Sequence, residues 1–215
     1  MEKYPKTLHF QWSEGLQNDD RMLQDISTFI GTPIIILEKL DGSNTSFTNK
    51  YVYGRSHTAP SVNKWDSKVR ELHSLIKHGI SGDLYIFGEA MSAIHSIEYT
   101  NLTSHFYMFG ARYNGIWSSW DEVEDYAFLL DLPTVPILYK GIVNSEKELK
   151  ELTEHFTKQE SRCGGEMEGI VCRLQREFKD EEFQTSVAKI VRKGHVQTDE
   201  HWTRSWKWSN INPTY

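Results

Sequence analysis

Only two cysteines occur among the 215 residues, Cys163 and Cys172, and they lack the spacing of a metal site. A disulfide-stapled fold is therefore excluded, and both are expected as reduced, buried thiols. No apolar run approaches the roughly 20 residues that a membrane-spanning helix needs. The N-terminus, Met1-Glu2-Lys3-Tyr4-Pro5, lacks the cationic segment and apolar core of a signal peptide, so the sequence predicts a cytoplasmic protein with no membrane partner. Internal repeats and low-complexity tracts are missing as well. So is a basic excess: 24 Lys and Arg stand against 30 Asp and Glu, a net charge of −6. Any polyanionic partner would then have to be met by positive charge concentrated in a groove.

What is present is enough for a substantial core. Hydrophobic residues make up 38% of the chain and aromatic residues 13%, which fits one domain. The patterning predicts strands near 34–39, 45–48, 51–55, 83–89, 105–113, 134–139, 168–174 and 186–192, and helices near 62–78, 119–130, 145–158 and 198–207. In the first helix, Trp65, Val69, Leu72, Leu75 and Ile76 fall on one side, as on a helix that covers a sheet. Strands that do not alternate strictly with helices predict an α+β protein with mostly antiparallel sheets.

The most informative stretch is Glu38-Lys39-Leu40-Asp41-Gly42-Ser43-Asn44, directly behind the apolar run Ile34-Ile35-Ile36-Leu37. It sets a lysine at the mouth of a buried strand. An amine attacks phosphorus only when unprotonated, so Lys39 as nucleophile is expected to have its pKa pulled down by desolvation and neighbouring cations. Asp41 could orient a sugar or a metal, Gly42 lets backbone approach a ligand, and Ser43 and Asn44 add hydroxyl and amide partners. The K-x-D-G pattern resembles the nucleotide-binding lysine motif of the covalent nucleotidyltransferases, which include ATP- and NAD-dependent ligases and mRNA capping enzymes. With Glu38 and Asn44 included, the stretch most resembles the T4 RNA ligase 2-like RNA ligases.

Further segments resemble that family in order. Arg55 in Tyr53-Gly54-Arg55-Ser56 resembles its phosphate-contacting arginine, and Glu89, ending Leu84-Tyr85-Ile86-Phe87-Gly88-Glu89, its ribose- or metal-contacting glutamate. Glu89 would lie beside Lys39 if the two strands shared a sheet. The stretch from Ala93-Ile94-His95-Ser96-Ile97-Glu98-Tyr99 to Phe106-Tyr107-Met108-Phe109 is the more specific match, with Phe109 at the adenine-stacking position. Gly110 departs from the pattern, since an aspartate usually follows that phenylalanine. Glu168 in Glu168-Gly169-Ile170-Val171 resembles the glutamate that serves metal-bound phosphates. Lys189 matches the first lysine of the last motif. Strand alternation favours Lys193 as the second cation, and family spacing favours Arg192.

The resemblance spans about Ile34 to Trp202. It implies a nucleotidyltransferase fold of the ATP-grasp-like ligase adenylation type, with sheets flanking a nucleotide cleft. Residues 1–215 would form a single domain with no OB-fold and at most a short C-terminal helical extension. It further implies ATP and Mg2+ or Mn2+ as cofactors, with Lys39, Glu89, Glu168 and Lys189 catalytic. Glu38, Leu40, Asp41, Asn44, Arg55, Phe109, Arg192 and Lys193 would complete the nucleotide site, and Glu89, Glu168 and Asp41 would face the metal. The implied activity is an ATP-dependent RNA ligase, phage-encoded or bacterial. It would form lysyl-AMP, pass AMP to an RNA 5′-phosphate and seal it to a 3′-hydroxyl, on nicked duplex or with a clamp protein as partner. Two alternatives stand beside it: a DNA nick ligase or capping-type guanylyltransferase, and a non-catalytic nucleotide- or RNA-binding module. Lys189, Arg192, Lys193, His195, Arg204 and Lys207, interleaved with Trp202, Trp206 and Trp208, form a candidate groove for phosphates and bases. The alternative for these tryptophans is packing onto their own domain.

Overall fold

The computed structural model describes residues 3–16, 20–194 and 206–212. Two sheets build the molecule. The first has five strands in the order β1 (Leu8–His9), β11 (Val187–Val191), β9 (Gly169–Leu174), β2 (Pro33–Lys39) and β8 (Ile137–Ile142). The second has six, in the order β10 (Phe178–Lys179), β7 (Ile116–Trp117), β6 (Phe106–Tyr113), β5 (Leu84–Ala90), β3 (Ser43–Phe47) and β4 (Val52–Gly54). Every pairing is antiparallel except that of β1 with β11. The α+β class and the mostly antiparallel sheets are as the sequence predicts.

Strand β2 shows why its apolar run has no polar alternation. Ile34 and Ile36 enter one core with Leu149, while Ile35 and Leu37 enter another with Phe47 and Phe106. Both faces of the strand are therefore covered, as in a central strand. Each such side chain contributes roughly 1.5–3 kcal/mol through burial. Helices α1 (Ser67–Ile76) and α2 (Trp120–Leu129) pack Val69 and Val123 into the second of these cores, and α3 (Glu146–Thr157) packs Leu149 into the first. Two starts are fixed locally by serine caps. Ser119 and Glu122 form a reciprocal capping box, and Ser145 Oγ accepts a hydrogen bond from the Glu148 amide at 3.2 Å.

Three details depart from the sequence reading. The first helix is shorter than 62–78, with 3-10 turns at Lys64–Asp66 and Lys77–Gly79 flanking α1. The two-residue strands β1, β7 and β10 were not predicted, because two residues carry no readable period. The predicted helix at 198–207 lies, up to residue 205, outside the described residues. Trp206 and Lys207 are not helical. The segment there runs alongside residues 92–102, with bridges Ala93 to Trp208 and Leu102 to Ile211.

Candidate active site

The K-L-D-G stretch is where the chain leaves one sheet for the other. Lys39 ends β2 in the five-stranded sheet, and Ser43 begins β3 in the six-stranded sheet. Gly42 is needed at this crossing, because a Cβ there would stand 2.5 Å from the Ala90 carbonyl oxygen and 2.9 Å from Glu89 Cγ. Glu89 registers with Asn44 on the neighbouring strand. The expectation that Lys39 and Glu89 meet through a shared sheet is thus corrected. They come from different sheets and are brought together by the crossing.

Between the sheets lies a cavity of about 600 Å3. Glu38, Lys39, Leu40, Asn44, Arg55, Glu89, Phe109 and Lys189 all line it. Lys39 Nζ donates to both carboxylate oxygens of Glu168 at 2.8 Å. Gly169, the next residue, lets β9 lie close against β11, since a Cβ on it would fall 2.1 Å from the Ile190 carbonyl oxygen. Phe109 is turned toward the cavity by an irregularity in β6: Phe87 pairs with Gly110 and Gly88 with Met108, which leaves Phe109 as an extra residue. Gly110 lies in the same wall, and a Cβ there would meet nothing closer than 3.9 Å.

The remaining sequence candidates are placed differently. Asp41 uses Oδ2 to accept the backbone N–H groups of Ser96 (2.7 Å) and Ile97 (2.9 Å), and its own N–H donates to the Tyr99 hydroxyl at 2.9 Å. The His-Ser-Ile-Glu-Tyr segment therefore cradles the lysine loop, and His95 adds a 3.3 Å contact to Ser43 Oγ. Glu38, although it lines the cavity, is buried with its carboxylate engaged, accepting hydrogen bonds from Ser161 Oγ and the Arg162 amide. Arg192 pairs with Glu166 and lines a separate depression with Trp12. Lys193 is exposed beyond the end of β11, so strand alternation does not extend to it. Lys189 and Arg55 are thus the predicted cations that line the cavity.

Several wall residues were not singled out by the sequence. Tyr4 packs against Phe87, Phe109, Trp117 and Phe183 at ring-centroid distances of 5.1–5.4 Å. Trp65 and Arg173 also line the cavity. Buried His9 approaches Asp20 at 3.2 Å, and Asp20 lies 3.9 Å from Lys189. No local pattern marks a lone Tyr or a His eleven residues from an Asp.

Electrostatics correct one further expectation. Burial pushes the Lys39 amine toward neutrality, but attraction from Glu168, Glu89 and Asp41 outweighs it, and the pKa is raised rather than lowered. Lys189, also desolvated and facing Lys39, is lowered. Burial raises Glu89 to about 8 and Glu168 to about 6, in each case against the opposing pull of Lys39. A carboxyl with a raised folded pKa binds protons more tightly when folded, so its contribution to stability falls as pH climbs from its unfolded value near 4.5 toward 8. Glu89→Gln should accordingly raise the melting temperature at pH 8.5 by several degrees over the native protein. The gain should fade toward pH 4.5; thermal melts across that range would show it, and a constant difference would count against this role.

A divalent cation can be tested against these donors. Among the described residues no three His, Cys, Asp or Glu side chains form a ready ligand set. The two desolvated carboxylates near Lys39, and Asn44 Oδ1, which is buried without a hydrogen-bond partner, suit instead a hydrated cation held through water.

A model of the RNA ligase family matches residues 32–191. The chain belongs to the RNA ligase family. The match takes in the lysine loop, Glu89, Phe109, Glu168 and Lys189. No curated protein sequence matches this family member. Among solved structures, an archaeal ATP-dependent RNA ligase is similar at TM-score 0.63 and 14% identity, over 91% of this chain and 49% of its own. A Naegleria gruberi RNA ligase variant solved with ATP and Mn is similar at 0.58 and 17%, over 91% and 59%. An Aquifex aeolicus protein assigned as an ATP-dependent DNA ligase follows at 0.57 and 18%, over 91% and 51%. These likenesses establish the nucleotidyltransferase-type ligase fold. The chain spans about half the length of these solved chains. Among the described residues no helix is long and apolar enough to cross a membrane, and both cysteines are buried free thiols.

Proposed function

We propose that this chain is an ATP-dependent RNA ligase that works through a lysyl-AMP on Lys39. The observation that carries the reading is the Lys39 amine held at 2.8 Å by both oxygens of Glu168, in a cavity that Glu89, Lys189 and Phe109 also face. In the first step Lys39 Nζ attacks the α-phosphorus of ATP, the bond to the bridging oxygen breaks, and pyrophosphate leaves. Glu168 is the group placed to take the Nζ proton, being in contact with it and carrying a pKa raised to about 6. Lys189 and Arg55 supply positive charge to the phosphate oxygens, and Lys189 also opposes protonation of Lys39. Phe109 gives the adenine an aromatic face, with Glu38 and Leu40 beside it. A hydrated Mg2+ or Mn2+ held through Glu89 and Glu168 would neutralise the charge that keeps Lys39 protonated and spread the charge of the triphosphate. AMP then passes to an RNA 5′-phosphate, and a 3′-hydroxyl displaces it to form the phosphodiester.

Incubation with ATP and Mg2+ should add the mass of one AMP to the intact protein. Supplying nicked RNA and nicked DNA should then discharge it into a sealed RNA strand. Absence of the adduct would support the non-catalytic binding module, an adduct from GTP alone a capping-type enzyme, and sealing confined to DNA a nick ligase.

A further inference from the structure

The cavity does not end at the nucleotide site. Trp65, which lines it, meets Trp206 at 6.3 Å between ring centroids and 69° between planes, and Trp206 meets Trp208 edge-to-face at 4.6 Å and 89°. The backbone explains the second pair. Residues 206–209 are extended and hydrogen-bonded to residues 92–94, with the Ile94 amide donating to the Lys207 carbonyl at 2.9 Å and the Ser209 amide to the Ser92 carbonyl at 2.9 Å. Alternate residues of an extended segment share a face, so Trp206 and Trp208 stand together and Lys207 between them projects away. This segment is anchored directly before His95, another residue of the cavity wall. A row of three indoles therefore leads outward from the cavity, and Trp208, at its end, is 45% exposed.

An indole that served only to pack would bury most of its surface, since covering apolar area is what stabilises it there. Trp208 keeps nearly half of its surface in water instead. Lys64, next to Trp65, and Lys207 are both exposed on the segments that carry these rings. Stacking faces with sparse cations suit bases and their phosphates.

We infer that Trp65, Trp206 and Trp208 form a stacking platform for unpaired nucleotides of a single-stranded RNA segment that runs from the cavity mouth. The inference rests on the ligase reading for its substrate and extends it. The platform would seat the bases next to the junction while Lys39, Glu168 and Lys189 act on the phosphate. Its occupant is single-stranded, because bases paired in a duplex hide their faces in the helical stack.

The test is titration of the full chain with a short single-stranded RNA oligonucleotide, read by quenching of indole fluorescence and by anisotropy of a labelled copy. Trp208→Ala should weaken binding about tenfold, Trp206→Ala with Trp208→Ala further, and Trp208→Phe should recover most of the loss. The dependence on salt should be shallow, near the effect of one or two phosphate contacts. A blunt RNA duplex of the same sequence should bind poorly. Binding by Trp208→Ala within twofold of the native protein, equal affinity for the duplex, or failure of Trp208→Phe to recover binding would each overturn the platform. Trp208 is exposed, so its single variant is a test that does not depend on refolding of the core. Formation of the AMP adduct is measured separately on the native protein. A missing adduct with intact oligonucleotide binding would defeat the ligase reading and leave the platform. A normal adduct with unaltered binding by the alanine variants would do the reverse.

Discussion

Lys39→Ala and Lys39→Arg are both expected to gain no AMP when incubated with ATP and Mg2+, at any pH between 6 and 9. The arginine variant is the more informative of the two. It preserves a cation opposite Glu168, and so the charge balance of a carboxylate that is 6% exposed, but a guanidinium stays protonated throughout this range and cannot attack phosphorus. The alanine variant leaves Glu168 buried without its partner, so its loss of activity could be confused with a loss of structure. If Lys39 only anchors Glu168, the arginine variant should retain adduct formation. If Lys39 is the nucleophile, both lose it completely while Lys39→Arg keeps a melting temperature near that of the native protein. Intact mass measurement reads the first quantity and calorimetry the second. An AMP adduct on Lys39→Arg would remove the chemical basis of the proposal.

The second large effect is expected at Glu168. Glu168→Gln should slow adduct formation by about 10²- to 10³-fold, because it removes the proton acceptor and half of the charge that would hold a cation. The same change has an opposite consequence for Lys39. Its ammonium loses the attraction that raises its pKa, whereas desolvation and Lys189 remain. The rate of adduct formation rises with pH as Lys39 loses its proton, and in Glu168→Gln that rise should move to lower pH even as the plateau falls. Lys189→Met should move it the other way, since the cation that opposes protonation is gone. A carboxylate with a merely structural role would lower the rate without moving the profile. A Glu168→Gln enzyme within threefold of the native rate would refute its assignment. Rates from quenched reactions over pH 6 to 9 would decide.

Much of the framework was readable along the chain. The unbroken run Ile34–Leu37 announces a buried strand, and the patterning placed helices near 119–130 and 145–158, where the structure has α2 and α3, because burial and periodicity are local consequences of residue type. The ordered motifs pointed to the family, and Lys39, Glu89, Phe109 and Lys189 do face one cavity. Other features were illegible for definite reasons. Tyr4 reaches the cavity from a segment with no pattern of its own, and β1, β7 and β10 are too short to show a period. Arg192 carried a cation at the right spacing, yet its partner Glu166 draws it to another surface.

The sequence alone determined which chemistry is available here: an amine behind a buried strand, two acids at strand ends, a lysine on the last strand and an aromatic partner, for these follow from side-chain type and period. Tertiary structure decided how they act on one another. The crossing at Leu40–Gly42 sets Lys39 and Glu89 on opposing sheets, the extra residue in β6 aims Phe109 inward, and Glu168 closes on the amine at 2.8 Å. Charge interaction depends on distance and on exclusion of water, neither of which is a property of the chain order. That is why the lysine expected to be acidified is instead held protonated by its own carboxylates.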